Sequence, residues 1–240
     1  MDAEPSIGGR HTRCGHDNCQ TYKQVACVIT RCLFTDTVNP RFVSLDPEYH
    51  ARFLAPSEVW THAAAPGNDL PETFVRRALS TGDQCFAILH EDGTLANYSW
   101  YTKTTNQFSP MLRLEFDSDW VYQYRAFTLP AHRGRRLHAI GMTNALAACL
   151  QRGDRGLLIC VDASNKASMT SCLRMGYRVF GTIYSVAPAR LLGKRAPRDG
   201  LLARHIIYHS PGCRRFKFRL TCADAEVTDV GSTWAAGQSL

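Results

Sequence analysis

Phe127-Thr128-Leu129-Pro130-Ala131-His132-Arg133-Gly134-Arg135-Arg136-Leu137-His138 is the stretch whose reading decides the fold. The residues before it, from Trp120 to Leu129, alternate apolar and polar side chains as a strand does, and Pro130 cannot continue a central ladder. The residues after it, from Leu137 to Gln151, place Ala139, Met142, Leu146, Cys149 and Leu150 at spacings of three and four, which predicts a helix. A short basic turn joins the two. The first N–H groups of a helix have no intrahelical partner, and the helix dipole favours negative charge beside them. Gly134 allows the backbone to approach a ligand closely, and Arg133, Arg135 and Arg136 add fixed positive charge. This combination suits a pyrophosphate; its bland counterpart is a basic strand-to-helix turn that binds nothing.

Downstream, Gly156 to Asp162 is a continuous apolar run and predicts a strand buried on both faces. Ser164 or Asn165 can cap a second helix whose apolar stripe is Met169, Cys172 and Leu173, and Gly176 ends it. Tyr177–Val186 and Arg204–His209 read as later strands, and residues 213–222 as a possible edge strand. Upstream, residues 24–35 predict a first strand, and helices start at Pro56 and Pro71. Gln84–His90 and Thr94–Thr104 flank Asp92-Gly93 as a hairpin, and Met111–Phe116 is a further strand. The order predicts an α/β domain with a mixed sheet. Residues 1–22 read as a polar, Cys- and His-containing leader, 23–212 as the domain, and 213–240 as the edge strand with a tail.

The net charge of +7 is unevenly placed. Residues 131–220 carry 14 Arg and 3 Lys against 3 Asp, a net of +14, so the remainder is −7. That asymmetry suggests an anionic partner for the later block: nucleic acid, phospholipid or a phosphorylated small molecule. The longest apolar run is the six residues Ala145–Leu150, far short of the ~20 of a membrane span. Ten cysteines with no C-x-x-C pair and no visible export signal predict reduced thiols and a cytoplasmic protein. His11, Cys14, His16, Cys19, Cys27 and Cys32 match no standard zinc spacing, so no metal is expected.

In this stretch the sequence resembles the GCN5-related N-acetyltransferases (GNAT superfamily). Their turn has the form R-G-x-G-x-G/A after V-x-P; here it is Thr128-x-Pro130 and then Arg133-Gly134-Arg135-Arg136-Leu137-His138, with Arg136 and His138 where the family has small residues. The next family helix has N-x-x-S/A, an aromatic, then Gly and an aromatic; here Asn165, Ser168, Cys172, Gly176 and Tyr177 stand in that order, with Cys172 in the aromatic's place. The resemblance covers residues 84–186 well and the N-terminal helices loosely. It implies a single acyl-CoA acyltransferase domain, with a mixed, mostly antiparallel central sheet splayed at a cleft and flanked by helices. Acetyl-CoA or another acyl-CoA would be the co-substrate. Its pantetheine would lie along Phe127, Thr128 and Leu129, its pyrophosphate on Arg133, Gly134, Arg135, Arg136, Leu137 and His138, with Asn165 and Ser168 beside the arm. The implied reaction moves the acyl group to the primary amine of a small molecule.

That chemistry needs a neutral amine, a polarised carbonyl and a proton for the departing thiolate. A tyrosine often supplies this proton in the family, and its usual position is Cys172 here. A thiol, with a pKa of about 8.5, can donate a proton or form an acyl-enzyme, or it can simply fill the core. Tyr122 and Tyr124 share a strand face near the cleft, with Trp100 and Tyr101 on the neighbouring strand, and are the other catalytic or pocket-shaping candidates. Two alternatives stay open. An acyl-carrier protein or long-chain acyl-CoA would suit a basic face around Arg190–Arg198 and Arg214–Arg219. A non-catalytic CoA-sensing or nucleic-acid-binding module would explain the altered motif, although no nucleic-acid-binding pattern accompanies the charge.

Overall fold

Apolar and β-branched runs bounded by Gly, Pro and Asp punctuate the described residues into short strands with four α-helices between them. The computed structural model describes residues 25–104, 106–109, 112–188, 204–209 and 219–222. Within them lie β1 (Val25–Thr35), β2 (Tyr49–Phe53), α1 (Pro56–Ala63), α2 (Glu72–Ser80), β3 (Gln84–His90), β4 (Leu95–Thr102), β5 (Asn106–Ser109) and β6 (Leu112–Glu115). There follow β7 (Trp120–Thr128), α3 (Leu137–Gln151), β8 (Gly156–Asp162), α4 (Lys166–Met175), β9 (Arg178–Pro188), β10 (Arg204–His209) and β11 (Arg219–Cys222). The leader with His11, Cys14, His16 and Cys19, most of the basic loop 187–202, Cys213, Arg214 and the tail lie outside the described residues. No described helix is long and apolar enough to cross a membrane.

Eight strands form one sheet in the order β10-β9-β1-β8-β7-β4-β3-β2, and β11-β6-β5 form a second. Every pairing in the large sheet is antiparallel except β7 with β8. This is the mixed, mostly antiparallel sheet flanked by helices that the resemblance implies. β2 went unread in the sequence. Its five residues alternate buried and outward-facing positions, but they sit in a segment without longer periodicity.

Side-chain alternation sorts the core into layers. On one face Ala139, Met142, Ala145, Leu146 and Cys149 of α3 pack with Val121 of β7 and Leu157, Ile159 and Val161 of β8. On the other, Val59, Val75 and Ala78 of α1 and α2 pack with Ala87, Tyr98 and Trp100. β4 is buried along its whole length because helices cover both its faces.

The single parallel pairing lasts four residues, Trp120–Gln123 against Gly156–Ile159. Beyond it β7 stays paired with β4 and β8 with β1, so the sheet forks into two arms. Gly156 sits where the pairing starts. A Cβ there would lie 2.2 Å from the Thr35 carbonyl oxygen and 2.7 Å from the Trp120 ring. Overpacking of this kind costs about 3 kcal/mol when neither neighbour can yield. Gly156→Ala is therefore expected to lower Tm by roughly 10 °C, measured by circular dichroism.

Candidate active site

The fork is built by a bulge. Tyr124 pairs with Trp100 and Ala126 with Ser99, which leaves Arg125 unopposed at a φ of 41°. A bulge bends its strand and increases local twist, here carrying β7 away from β8. The Arg125 guanidinium donates to the Asp69 carbonyl at 2.8 Å, pairs with the Asp69 carboxylate at 3.2 Å and lies 4.4 Å over the Phe74 ring. The Tyr98 hydroxyl donates to the same carbonyl at 2.8 Å. The segment between α1 and α2 thus clamps the bulge.

Between the arms opens a cleft of about 850 Å³. Of the sequence candidates, Tyr124, Phe127, Thr128, Arg133, His138, Asn165 and Ser168 line it; Arg125, Ala126 and Cys160 line it as well. On β7 the backbone groups alternate in direction. Leu129 N–H donates to the Ala96 carbonyl at 2.9 Å, and the Phe127 carbonyl accepts from Asn97 Nδ2 at 2.9 Å, so both turn toward β4. The Thr128 carbonyl accepts from Arg133 Nε at 3.1 Å. Ladder alternation leaves the backbone of Ala126 and Thr128 facing the cleft.

At the open end, Gly134 has a φ of 82° and open space where a Cβ would stand. Arg136 is the N-cap of α3 in a left-handed conformation and makes no side-chain cap hydrogen bond, so the first-turn N–H groups of α3 receive nothing from the cap side chain. Arg136 and His138 also line a second groove of about 950 Å³ with Arg41, Lys166 and Arg174, whose lining contains no acidic residue. Arg135 turns away, pairing with Glu48 at 2.5 Å and lying over the Tyr49 ring. Leu137 packs its side chain with Tyr49, Ile88 and Ala96. Asn165 caps α4, accepting from Ser168 N–H at 3.0 Å.

Two of the catalytic candidates lie in the core away from the cleft lining. Cys172 is 0% exposed and faces the α3–α4 core; burial pushes its thiol up to about 11. It touches core, not cleft, because α4 turns its buried face toward the sheet. Tyr122 points into the core that Trp120, Leu158 and Phe180 form, and burial, followed by the neighbouring Cys160, raises its hydroxyl well above the ordinary tyrosine range. Tyr124, one strand repeat further on, does reach the cleft. Its hydroxyl donates to Asp83 Oδ2 at 2.5 Å, and burial pushes its pKa up, with Asp83 adding to the effect. Asp83 is itself buried, and its Oδ1 has no hydrogen-bond partner among the described residues. Sequence reasoning missed Asp83 because Thr81-Gly82-Asp83 reads as a helix end. The available signal was an acid directly before the apolar run of β3. Among the described residues no group of three His, Cys, Asp or Glu side chains is placed to hold a metal ion.

Solved structures with similar folds include a GCN5-related N-acetyltransferase from Sphaerobacter thermophilus, with a TM-score of 0.49 and 17% identity over 70% of this chain and 54% of that one. A GCN5-related N-acetyltransferase-like protein from Streptococcus suis has a TM-score of 0.45 and 15% identity over 69% and 63%. A GNAT-family acetyltransferase from Colwellia psychrerythraea has a TM-score of 0.46 and 13% identity over 68% and 58%. The chain thus spans less than two thirds of the length of each. No protein-family model and no curated protein matches the sequence.

Burial holds the His138 ring below the ordinary histidine range, so it is neutral at pH 7 beside the turn. As pH falls, the unfolded chain takes up this proton first. The stability that His138 contributes is therefore present above the ordinary histidine pKa and lost as pH falls from there through the lowered folded value. Nuclear magnetic resonance titration, with His138→Gln for assignment, is expected to give a midpoint under about 6.5.

Proposed function

We propose that this chain, which has the GCN5-related N-acetyltransferase fold, is an N-acyltransferase of the cytoplasm that moves an acetyl or other acyl group from CoA to the primary amine of a small molecule. The observation that carries the reading is the fork. It leaves one edge of β7 without a strand partner and ends at the uncapped N-terminus of α3. An extended arm that ends in pyrophosphate fits such a site: amide-like groups against Ala126 and Thr128, phosphate against the α3 amides and Arg133. The second groove, with Arg41, Arg136, Lys166 and Arg174, supplies positive charge for further phosphate.

The CoA thioester supplies an activated acyl group. The chain supplies the rest. Backbone N–H groups of β7 at the fork are available to polarise the carbonyl. Tyr124, protonated at neutral pH as any tyrosine is, holds a proton at the cleft wall for the departing thiolate. Asp83 fixes the hydroxyl by accepting its hydrogen bond.

Two measurements test this. Asp at position 134 can take the left-handed conformation better than most residues, and its side chain meets open space, so Gly134→Asp should fold. Its carboxylate at the phosphate turn is expected to weaken acetyl-CoA binding by at least about tenfold in calorimetry, a change of ~1.4 kcal/mol. Unchanged affinity would remove the turn from the site. Tyr124→Phe is expected to leave that affinity intact and to lower kcat by roughly 100-fold in a free-thiol assay over a panel of primary amines. An equal loss in binding would make Tyr124 part of the CoA surface instead.

A further inference from the structure

Cys160 is the first residue of β8 beyond the last pair shared with β7, and it lines the cleft. Directly opposite it in the antiparallel β1–β8 ladder stands Cys32, which is 1% exposed. Their sulfurs are 3.7 Å apart, with the Cys160 thiol donating to Cys32 Sγ. Opposed residues in such a ladder have Cα atoms about 4.5–5.5 Å apart, inside the ~4.4–6.8 Å that a disulfide spans. A sulfur–sulfur bond of ~2.05 Å therefore needs only a small side-chain rotation and no movement of either strand. The other buried thiols, Cys85, Cys149 and Cys172, line neither the cleft nor the second groove.

We propose that Cys160 is an oxidation site for peroxide in the cleft wall and that Cys32 resolves it, forming a Cys32–Cys160 disulfide across β1 and β8. The order follows from access. Cys160 meets solvent through the fork, whereas Cys32 is sealed behind it. In the first step the Cys160 thiolate attacks one peroxide oxygen, the O–O bond breaks, and sulfenic acid and water form. In the second step the Cys32 sulfur attacks the sulfenic sulfur, the S–O bond breaks, and the thiol proton leaves with hydroxide as water. Two thiols lose two electrons, and one hydrogen peroxide becomes two waters. In a reducing compartment such a bond is transient and reversed by thiols, as a redox-responsive bond must be. It would consume the thiol at the vertex beside Tyr124 and pin one arm of the fork. The proposal does not depend on the acyl-transfer reading, since it needs only the fork and the ladder.

The test uses the full chain treated with hydrogen peroxide, alkylated, digested without reductant and analysed by mass spectrometry. The expected product is a peptide pair linked through Cys32 and Cys160, lighter by two hydrogen atoms than the separate peptides and released by dithiothreitol. In Cys32→Ala, Cys160 is expected to stop at sulfenic acid, trapped by dimedone, or to proceed to sulfinic acid. Recovery of Cys160 as the alkylated thiol from the wild-type chain would overturn the proposal. So would Cys160 sulfinic acid accompanied by alkylated Cys32.

Discussion

The parallel contact between β7 and β8 ends at Gln123 and Ile159, and the geometry of the candidate site follows from that early ending. A sheet can split in this way only if each arm keeps a partner on its outer side, because buried backbone N–H and C=O groups must be paired. β4 holds β7, and β1 holds β8. The bend itself is set by Arg125, whose left-handed φ is unfavourable for a residue with a long side chain. The carbonyl and carboxylate of Asp69 and the face of Phe74 offset this by holding the guanidinium on three sides. Asp69 itself has a positive φ of 47°, so the clamp and the bulge are both irregular backbone stabilised by each other.

The two helices that border the cleft end differently, and the difference assigns them different parts. α4 satisfies its own N-terminus: Asn165 Oδ1 accepts from Ser168 N–H. α3 does not, since its N-cap residue is Arg136, which offers no acceptor. Placing a cation at a helix N-terminus opposes the dipole, and here Arg133 stands near it as well. Local stability alone would select Ser, Asp or Asn at this cap. A basic, uncapped N-terminus makes sense if an anion completes it, and then the two unfavourable choices become one favourable site.

Much of the fold was legible because its punctuation is strong. Pro130, Gly156 and Gly176 bound α3, β8 and α4 so sharply that Leu137–Gln151 and Gly156–Asp162 could be read to the residue. What periodicity could not convey was which face a short helix buries. Met169, Cys172 and Leu173 read as one stripe, yet Leu173 is 52% exposed while Met175 joins the core. The 10-residue α4 buries only Cys172 and Met175, so a stripe defined by composition is wider than the face that is covered. The same ambiguity put Cys172 among the candidates. The pairings of Asp83 and Cys32 were invisible for a different reason. Each gains its meaning from a partner 41 or 128 positions away, and no local pattern records such a pairing.

Register ties these distant partners to the fork. Once the parallel ladder stops, the next residues on the two arms are Tyr124 and Cys160, and strand alternation points both to the same face. Each is backed by a buried group: Tyr124 by Asp83, which directly precedes β3, and Cys160 by Cys32 of β1. One more pair of ladder would close the cleft over both side chains. Gln123 and Ile159, the last pair of that ladder, line the floor of the cleft. The length of the parallel pairing therefore selects which side chains meet a ligand, and the bulge at Arg125 sets that length. A residue that touches no sequence motif, held by a loop between two N-terminal helices, thus decides which side chains border the cleft.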